Sequence, residues 1–376
     1  MTEHRIERID VHIVNIPAKA VHSHGSGDVS GINVALLELT TASGLTGWGE
    51  ASPWPVFTGS VEGNAAALHS HFAPIILGAN PVNVECLMAR AEATLVAHTE
   101  AKAALECALL DLSGQIAGLS IAELLGGICR TEIPLSFSVA NPDFDADLDD
   151  VARLWDEGVR LFKLKTGFND HGFDLMRLEK LRTLYGEEIG LRIDYNQGLA
   201  AHDAIRQVRD LESFRPDFVE QPVKRHERAA LAAITLAVDV PVMADESVFG
   251  PVDALEGAAM RLADIYSLKV MKSGGLRRAL EVAAIARAAG IGVYGGCMFE
   301  TSIAHAAGAH LMAALPELRL GCEFYMSSYY ASEDIAKTPF PVQNGKVIVP
   351  QGAGLGVAPD REKLKRFQTA HLTETA

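Results

Sequence analysis

Two regimes of hydrophobic patterning divide the chain. Up to about residue 130, alternating runs at 6–16 and 32–39 predict strands, and Gly44 marks a turn into a third at 45–50. Helical periodicity follows at 61–76, 84–97 and 99–117, and Gly126-Gly127 stops it, so this part reads as α+β. From Ile133 onward short apolar runs recur at 135–139, 161–165, 191–194, 218–220, 242–245, 265–269, 291–294 and 319–323. Amphipathic stretches such as 173–185, 201–211 and 276–289 separate them, which predicts parallel strands covered by helices. Eight strands of this kind close a barrel. The expected units are 1–130, 131–335 and 336–376, the last without a further βα unit and with a short strand at 346–350 returning to the first domain.

Polar positions change the picture where they end the apolar runs. Lys165, Asp194, Glu220, Asp245 and Lys269 each close one run, at intervals of 24 to 29 residues. Residues at the C-terminal ends of barrel strands converge at one mouth, where such barrels carry their chemistry. Numbered along the barrel, Lys165 ends strand two, the three acids end strands three to five, and Lys269 ends strand six, opposite Lys165. Three carboxylates without histidine or thiolate make a hard oxygen site, suited to Mg²⁺ with Mn²⁺ as substitute. Separate salt bridges at three strand ends are the plainer explanation, but a repeat on three consecutive strands argues against it. Glu246, next to Asp245, is expected on the other side of the strand and outside the site.

The lysines suit proton transfer. An amine of ordinary pKa ~10.4 acts as a base near neutrality only when lowered by ~2–3 units. In Lys163-Leu164-Lys165 two amines share one strand face, so each is expected to disfavour the other's charge. Lys272 precedes Ser273-Gly274-Gly275 beyond a strand end and could belong to a phosphate-binding turn, though the full motif is absent.

Composition excludes more than it adds. The 376 residues are 48% hydrophobic and 22% charged, and 33 Lys and Arg against 48 Asp and Glu give a net charge of −15. That balance disfavours nucleic acid or an anionic membrane as partner. The five scattered cysteines lack a C-x-x-C spacing, and no leader pattern or apolar run of spanning length is found, so a reduced, cytoplasmic setting is expected. The expected partners are a small carboxylate substrate and further copies of the chain in a homo-oligomer. Two stretches at 20–31 and 51–60 read as long loops, and His22, His24, Trp54 and Phe57 in them, with Met298 at the mouth, are the candidate substrate contacts under a lid. A separate metal site on His22-x-His24 is the weaker reading of that pair.

Several motifs carry a family resemblance. Lys163-x-Lys165-x-Gly167, Asp194-x-Asn196, Glu220-Gln221-Pro222, Ala244-Asp245-Glu246-Ser247 and Lys269-x-x-Lys272-x-Gly274-Gly275 together resemble the enolase superfamily, muconate-lactonizing subgroup. Gly47-Trp48-Gly49-Glu50, Tyr294-Gly295-Gly296-x-Met298 and Gly321-x-Glu323 extend the likeness nearly end to end. The resemblance implies a modified TIM barrel, (β/α)₇β, under an α+β cap completed by the C-terminal segment. It implies Mg²⁺ on Asp194, Glu220 and Asp245, with Lys165 and Lys269 as the acid/base pair supported by Lys163, Asn196 and Glu323. Lysine with Mg²⁺ stabilising an enediolate is this superfamily's general pattern.

Proton removal α to a carboxylate then leads to three outcomes. Reprotonation on the opposite face epimerises, loss of a β-substituent dehydrates, and intramolecular addition through the same intermediate cyclises. Pro53-Trp54-Pro55 and His22-Ser23-His24 depart from the pattern expected of muconate cycloisomerases. That departure favours dehydration or epimerisation of a small hydroxy amino acid such as a hydroxyproline, with lactonisation of a dicarboxylate as the alternative. Gly321-Cys322-Glu323 stands where dipeptide epimerases carry an aspartate motif, which lowers that reading. A non-catalytic binding protein on the same fold is the remaining alternative.

Overall fold

The computed structural model describes residues 4–376. Its first layer is an antiparallel sheet of β1 (Ile6–His24), β2 (Gly27–Thr41) and β3 (Thr46–Ala51). The helix Thr99–Ala117 lies against β3 so closely that a Cβ on Gly49 would stand 1.9 Å from the Ala104 carbonyl oxygen, and one on Gly47 2.5 Å from that of Ala108. Glycines in the Gly-Trp-Gly-Glu stretch therefore serve helix-to-strand packing.

The segment 20–31 is not a loop. β1 and β2 continue as a two-stranded arm joined by a two-residue Gly25-Ser26 turn, with pairing resumed at His22↔Val29 after a shift in register. The polar composition of the arm hid its strand character. Its tip rests on the barrel: Ser26 donates to the Asn196 carbonyl at 2.9 Å, and a Cβ on Gly25 would meet the Tyr195 carbonyl at 2.5 Å. Ser23 N–H donates to the Ala140 carbonyl at 2.8 Å, fixing the arm's other side.

Beyond β4 (Glu132–Pro134), seven parallel strands follow in sequential order: β5 (Ser136–Val139), β6 (Leu161–Lys165), β7 (Gly190–Asp194), β8 (Val219–Glu220), β9 (Val242–Ala244), β10 (Ile265–Leu268) and β11 (Gly292–Gly295). The expected eighth strand at 319–323 is reduced to one residue. Cys322 bridges in parallel to both Leu135 and Gly295 and closes the barrel. Gly321, at φ +74°, turns the chain here, and a Cβ on it would stand 2.3 Å from the Pro134 carbonyl oxygen, so the approach is too tight for a longer strand.

The run at 346–350 takes a different partner from the one expected. β12 (Val342–Gln343) and β13 (Lys346–Ile348) form a small antiparallel sheet on β4 at the entry to the barrel, which offers them an open edge. Return to the first layer falls to β14 (Gln368–Thr375), antiparallel to β1. Before it, the helix Arg361–Phe367 is anchored by a two-pronged Arg361–Glu38 pair, both contacts at 2.6 Å. No helix among the described residues is long and apolar enough to cross a membrane.

Candidate functional site

Strand register builds the site. Lys165 pairs with Asp194 and Asp194 with Glu220 across adjacent parallel strands, so three strand ends set their side chains in one row. Asp245 and Lys269 follow immediately after β9 and β10 at the same level. All five are buried. Lys165 Nζ lies 2.6 Å from Asp194 Oδ2 and 3.1 Å from Asn196 Oδ1; Lys269 Nζ lies 2.7 Å from Asp245 Oδ2. Lys163 sits deeper, with Glu220 Oε2 at 2.9 Å, Asp194 Oδ2 at 3.4 Å and Glu323 Oε2 also in contact.

This network corrects the expected pKa logic. Burial works to lower Lys163, but Glu220, Glu323 and Asp194 prevail and hold it well above the ordinary lysine range. Lys269 is likewise raised, burial being outweighed by Asp245, Glu323 and Glu220. Mutual repulsion between amines is thus the smaller effect when several carboxylates surround them. Among the acids, burial tends to raise Asp194, yet Lys165 and Lys163 bring it down to about 2. Glu220 goes the other way, pushed well up by burial and by Asp194.

Two side chains belong here against expectation. Glu246 is buried on the site side, receives an Asn196 amide contact at 3.4 Å, and is raised to about 7 by burial, Asp245 and Asp194. Strand alternation fails there because the chain turns, Val248 N–H donating to the Asp245 carbonyl at 3.1 Å. Lys272 forms no phosphate turn. From the single helical turn Val270–Ser273 it reaches back, fully buried, to Asp245 Oδ1 at 2.8 Å and the Asp245 carbonyl at 2.7 Å.

Asp194, Glu220 and Asp245 fit a hard divalent cation by donor chemistry. Glu220 Oε1 is buried without a hydrogen-bond partner, and Glu220 feels the charges of Asp194 and Asp245 on either side. Among the described residues no histidine, cysteine or acidic side chains stand gathered as a ready-made metal cluster. Lysine ammoniums fill the gaps between the carboxylates instead, so a cation would enter by displacing part of that lysine pairing.

Lys165 and Lys269 line one small cavity of about 30 Å³ together with Asn196 and Glu323. His22 and His24 from the arm, Trp54 from the 51–60 loop, and Met298 cover it. Trp54 is tilted against His24 at 4.3 Å and edge-on to Phe299 at 5.8 Å between centroids. Phe57 is absent from the cavity wall, but its ring lies 5.4 Å from Lys269 Nζ, a cation–π contact. Ser138, Cys297, Phe299 and Met326 also line the cavity and were not foreseen. Ser138, one of two serines at alternate positions of strand β5, was the available signal.

Comparison with known proteins agrees over the whole length. Residues 8–126 match the mandelate racemase/muconate lactonizing enzyme N-terminal domain, and 146–363 match the enolase C-terminal domain-like model. A muconate cycloisomerase from Acinetobacter lwoffii is 33% identical over 98% of this chain and 97% of its own. A chloromuconate cycloisomerase from Delftia acidovorans is 32% identical over 97% and 100%. Among solved structures, the muconate lactonizing enzyme from Pseudomonas fluorescens complexed with muconolactone matches at TM-score 0.94 with 32% identity, covering 97% of this chain and all of that one. A muconate cycloisomerase from Azorhizobium caulinodans is 44% identical at TM-score 0.86, over 97% and 99%. This chain belongs to the mandelate racemase/muconate lactonizing enzyme family of the enolase superfamily, and is a lyase or isomerase of that group.

Proposed function

We propose that this protein is a divalent-metal-dependent cycloisomerase acting on a muconate-type dicarboxylate. The observation that carries the reading is the pair Lys165 and Lys269 on one small cavity beside three converging acids. The relatives named above are muconate and chloromuconate cycloisomerases across nearly the full chain, which favours the lactonising alternative over the hydroxyproline reading. A few unusual residues in two short segments weigh less than a likeness spanning both domains.

Asp194, Glu220 and Asp245 would hold Mg²⁺ or Mn²⁺, which would offset the charge that develops on the substrate carboxylate. The lysines handle the proton. In the lactonising direction one carboxylate oxygen of the diene diacid bonds to an alkene carbon, and the electron pair displaced moves toward the other carboxylate as an enediolate. A lysine ammonium then delivers its proton to the α-carbon, so product and substrate are isomers and no co-reactant is needed. In reverse the same amine removes that proton. Asn196 orients Lys165 through its 3.1 Å contact, and Lys163 with Glu323 balances charge behind the row. The covering aromatics exclude water from the carbanion-like intermediate. Five unpaired cysteines suit the reduced cytoplasm we assign to it.

The test is turnover of cis,cis-muconate with Mg²⁺ in deuterated water, with hydroxyprolines in parallel. Loss of the diene with one deuterium at the α-carbon of the lactone is expected. Turnover of a hydroxyproline with no action on any muconate would overturn the reading.

A further inference from the structure

Lys269 lies across a glycine. β10 and β11 run in parallel with Ser267 opposite Tyr294 and Leu268 opposite Gly295, so the next pair toward the barrel mouth is Lys269 beside Gly296. A Cβ on Gly296 would stand 2.8 Å from Lys269 Cε, 2.9 Å from its Cγ and 2.4 Å from the Ser267 hydroxyl. The backbone does not ask for glycine here: Gly296 is not among the residues at positive φ, so other residues could adopt its conformation. What the position requires is the missing side chain.

The glycine strand is tied on both sides. Gly296 N–H donates to the Leu268 carbonyl at 3.0 Å, Gly295 N–H to the Gly321 carbonyl at 3.0 Å, and Glu323 N–H to the Gly295 carbonyl at 2.9 Å. The stem of Lys269, a flexible chain of methylenes, is therefore the part that would give way. Its tip is held from other directions, by Asp245 Oδ2 at 2.7 Å and the Phe57 ring at 5.4 Å. Carbon atoms in contact ordinarily sit about 3.5–4.0 Å apart, so an added methyl would drive the stem roughly 0.6–1.2 Å off its path. A misplacement of about 1 Å at a reacting group costs up to about 10²-fold in rate.

Resting on the acid/base role of Lys269 in the function above, we propose that Gly296 is a positioning residue for Lys269. Its bare Cα is the floor on which the stem lies, and that floor sets where the ammonium stands in the cavity. Lys165 has a different support, the Asp194 and Asn196 side chains, so Gly296 acts on one lysine of the pair.

A double-mutant cycle on Gly296→Ala and Lys269→Ala tests this, built throughout on Ser267→Ala so that the serine hydroxyl does not obstruct the new methyl. With Lys269 present, Gly296→Ala is expected to lower Tm by about 2–6 °C, as overpacking does, and by less than about 1 °C with Lys269→Ala, where the stem is gone. In the Mg²⁺-loaded protein with Lys269 present, kcat for cis,cis-muconate should fall about 10–100-fold while KM stays within about twofold. Failure to fold only while Lys269 is present supports the proposal as well. An equal loss of Tm, or failure to fold, in both backgrounds makes Gly296 an ordinary packing residue and overturns it, as does an unchanged kcat. The thermal cycle needs no substrate, so it decides the contact of Lys269 with Gly296 even where the wild type leaves muconate untouched and the lactonising reading falls.

Discussion

Glu50, the last acid of the β3 strand, accepts a hydrogen bond from the Thr301 backbone N–H at 2.9 Å. Its other oxygen takes the Ala304 N–H at 3.2 Å and the Thr301 hydroxyl, so a carboxylate of the cap closes the N-terminus of the barrel helix Ser302–Ala314. That helix follows directly on Met298 and Phe299, which line the cavity. The cap thus anchors, through a buried side chain, the helix that follows one wall of the cavity. Glu50→Ala is expected to cost about 1–3 kcal/mol by leaving those donors unpaired, read by denaturant unfolding. KM should rise more than kcat falls, and Glu50→Gln should restore part of both. Unaltered unfolding and kinetics would remove Glu50 from this role.

A second prediction concerns the lysines. Lys165→Ala and Lys269→Ala should each lower turnover by about 10²–10⁴, the range for loss of a positioned acid or base. Solvent deuterium exchange into muconolactone, followed by NMR, should vanish with the same variants. Full exchange in either would reassign proton transfer to another group.

Those positions were legible in the sequence because parallel strands leave little freedom. Once the apolar runs at 161–165, 191–194 and 218–220 are aligned, their last residues must stand side by side, as in the Lys165↔Asp194 and Asp194↔Glu220 pairs. Beyond a strand end that rule lapses. Glu246 and Lys272 were misplaced because a turn after Asp245 and one helical turn after Lys269, neither set by alternation, direct them. The arm 20–31 was missed for another reason: both of its faces carry polar residues, His22 and His24 toward the cavity, so no period-two pattern shows.

Lys272 leads to a third prediction. It donates twice to Asp245, to the carboxylate and to the carbonyl, and both residues are buried. Lys272→Met removes the partner and leaves Asp245 with Lys269 alone, which should cost about 3–5 kcal/mol in metal-free protein. A divalent cation would then offset more charge than in the wild type. Mg²⁺ should therefore raise the Tm of Lys272→Met more than that of the wild type, in paired thermal scans. An equal or smaller Mg²⁺ effect would argue that Lys272 is unconnected with the cation site.

Glu106 supplies a pH dependence. From the helix Thr99–Ala117 its Oε2 accepts the Arg277 backbone N–H at 3.1 Å, at the start of the barrel helix Leu276–Ala288. Burial foremost raises it from 4.5 to about 7, against the opposing backbone hydrogen bonds of Arg277 and Leu276. An acid raised in the folded state binds its proton more tightly there than in the unfolded chain. Its stabilising contribution is whole below about pH 4.5 and is lost as pH rises through about 7. The full shift corresponds to at most about 3 kcal/mol. Glu106→Gln keeps an acceptor oxygen and cannot ionise, so its unfolding free energy should fall less than the wild type's between pH 5 and pH 8. The two proteins should be close at pH 5 and diverge at pH 8, the variant being the more stable. Parallel pH profiles would show that Glu106 ionises alike in both states, and the docking of cap on barrel would then owe nothing to its protonation.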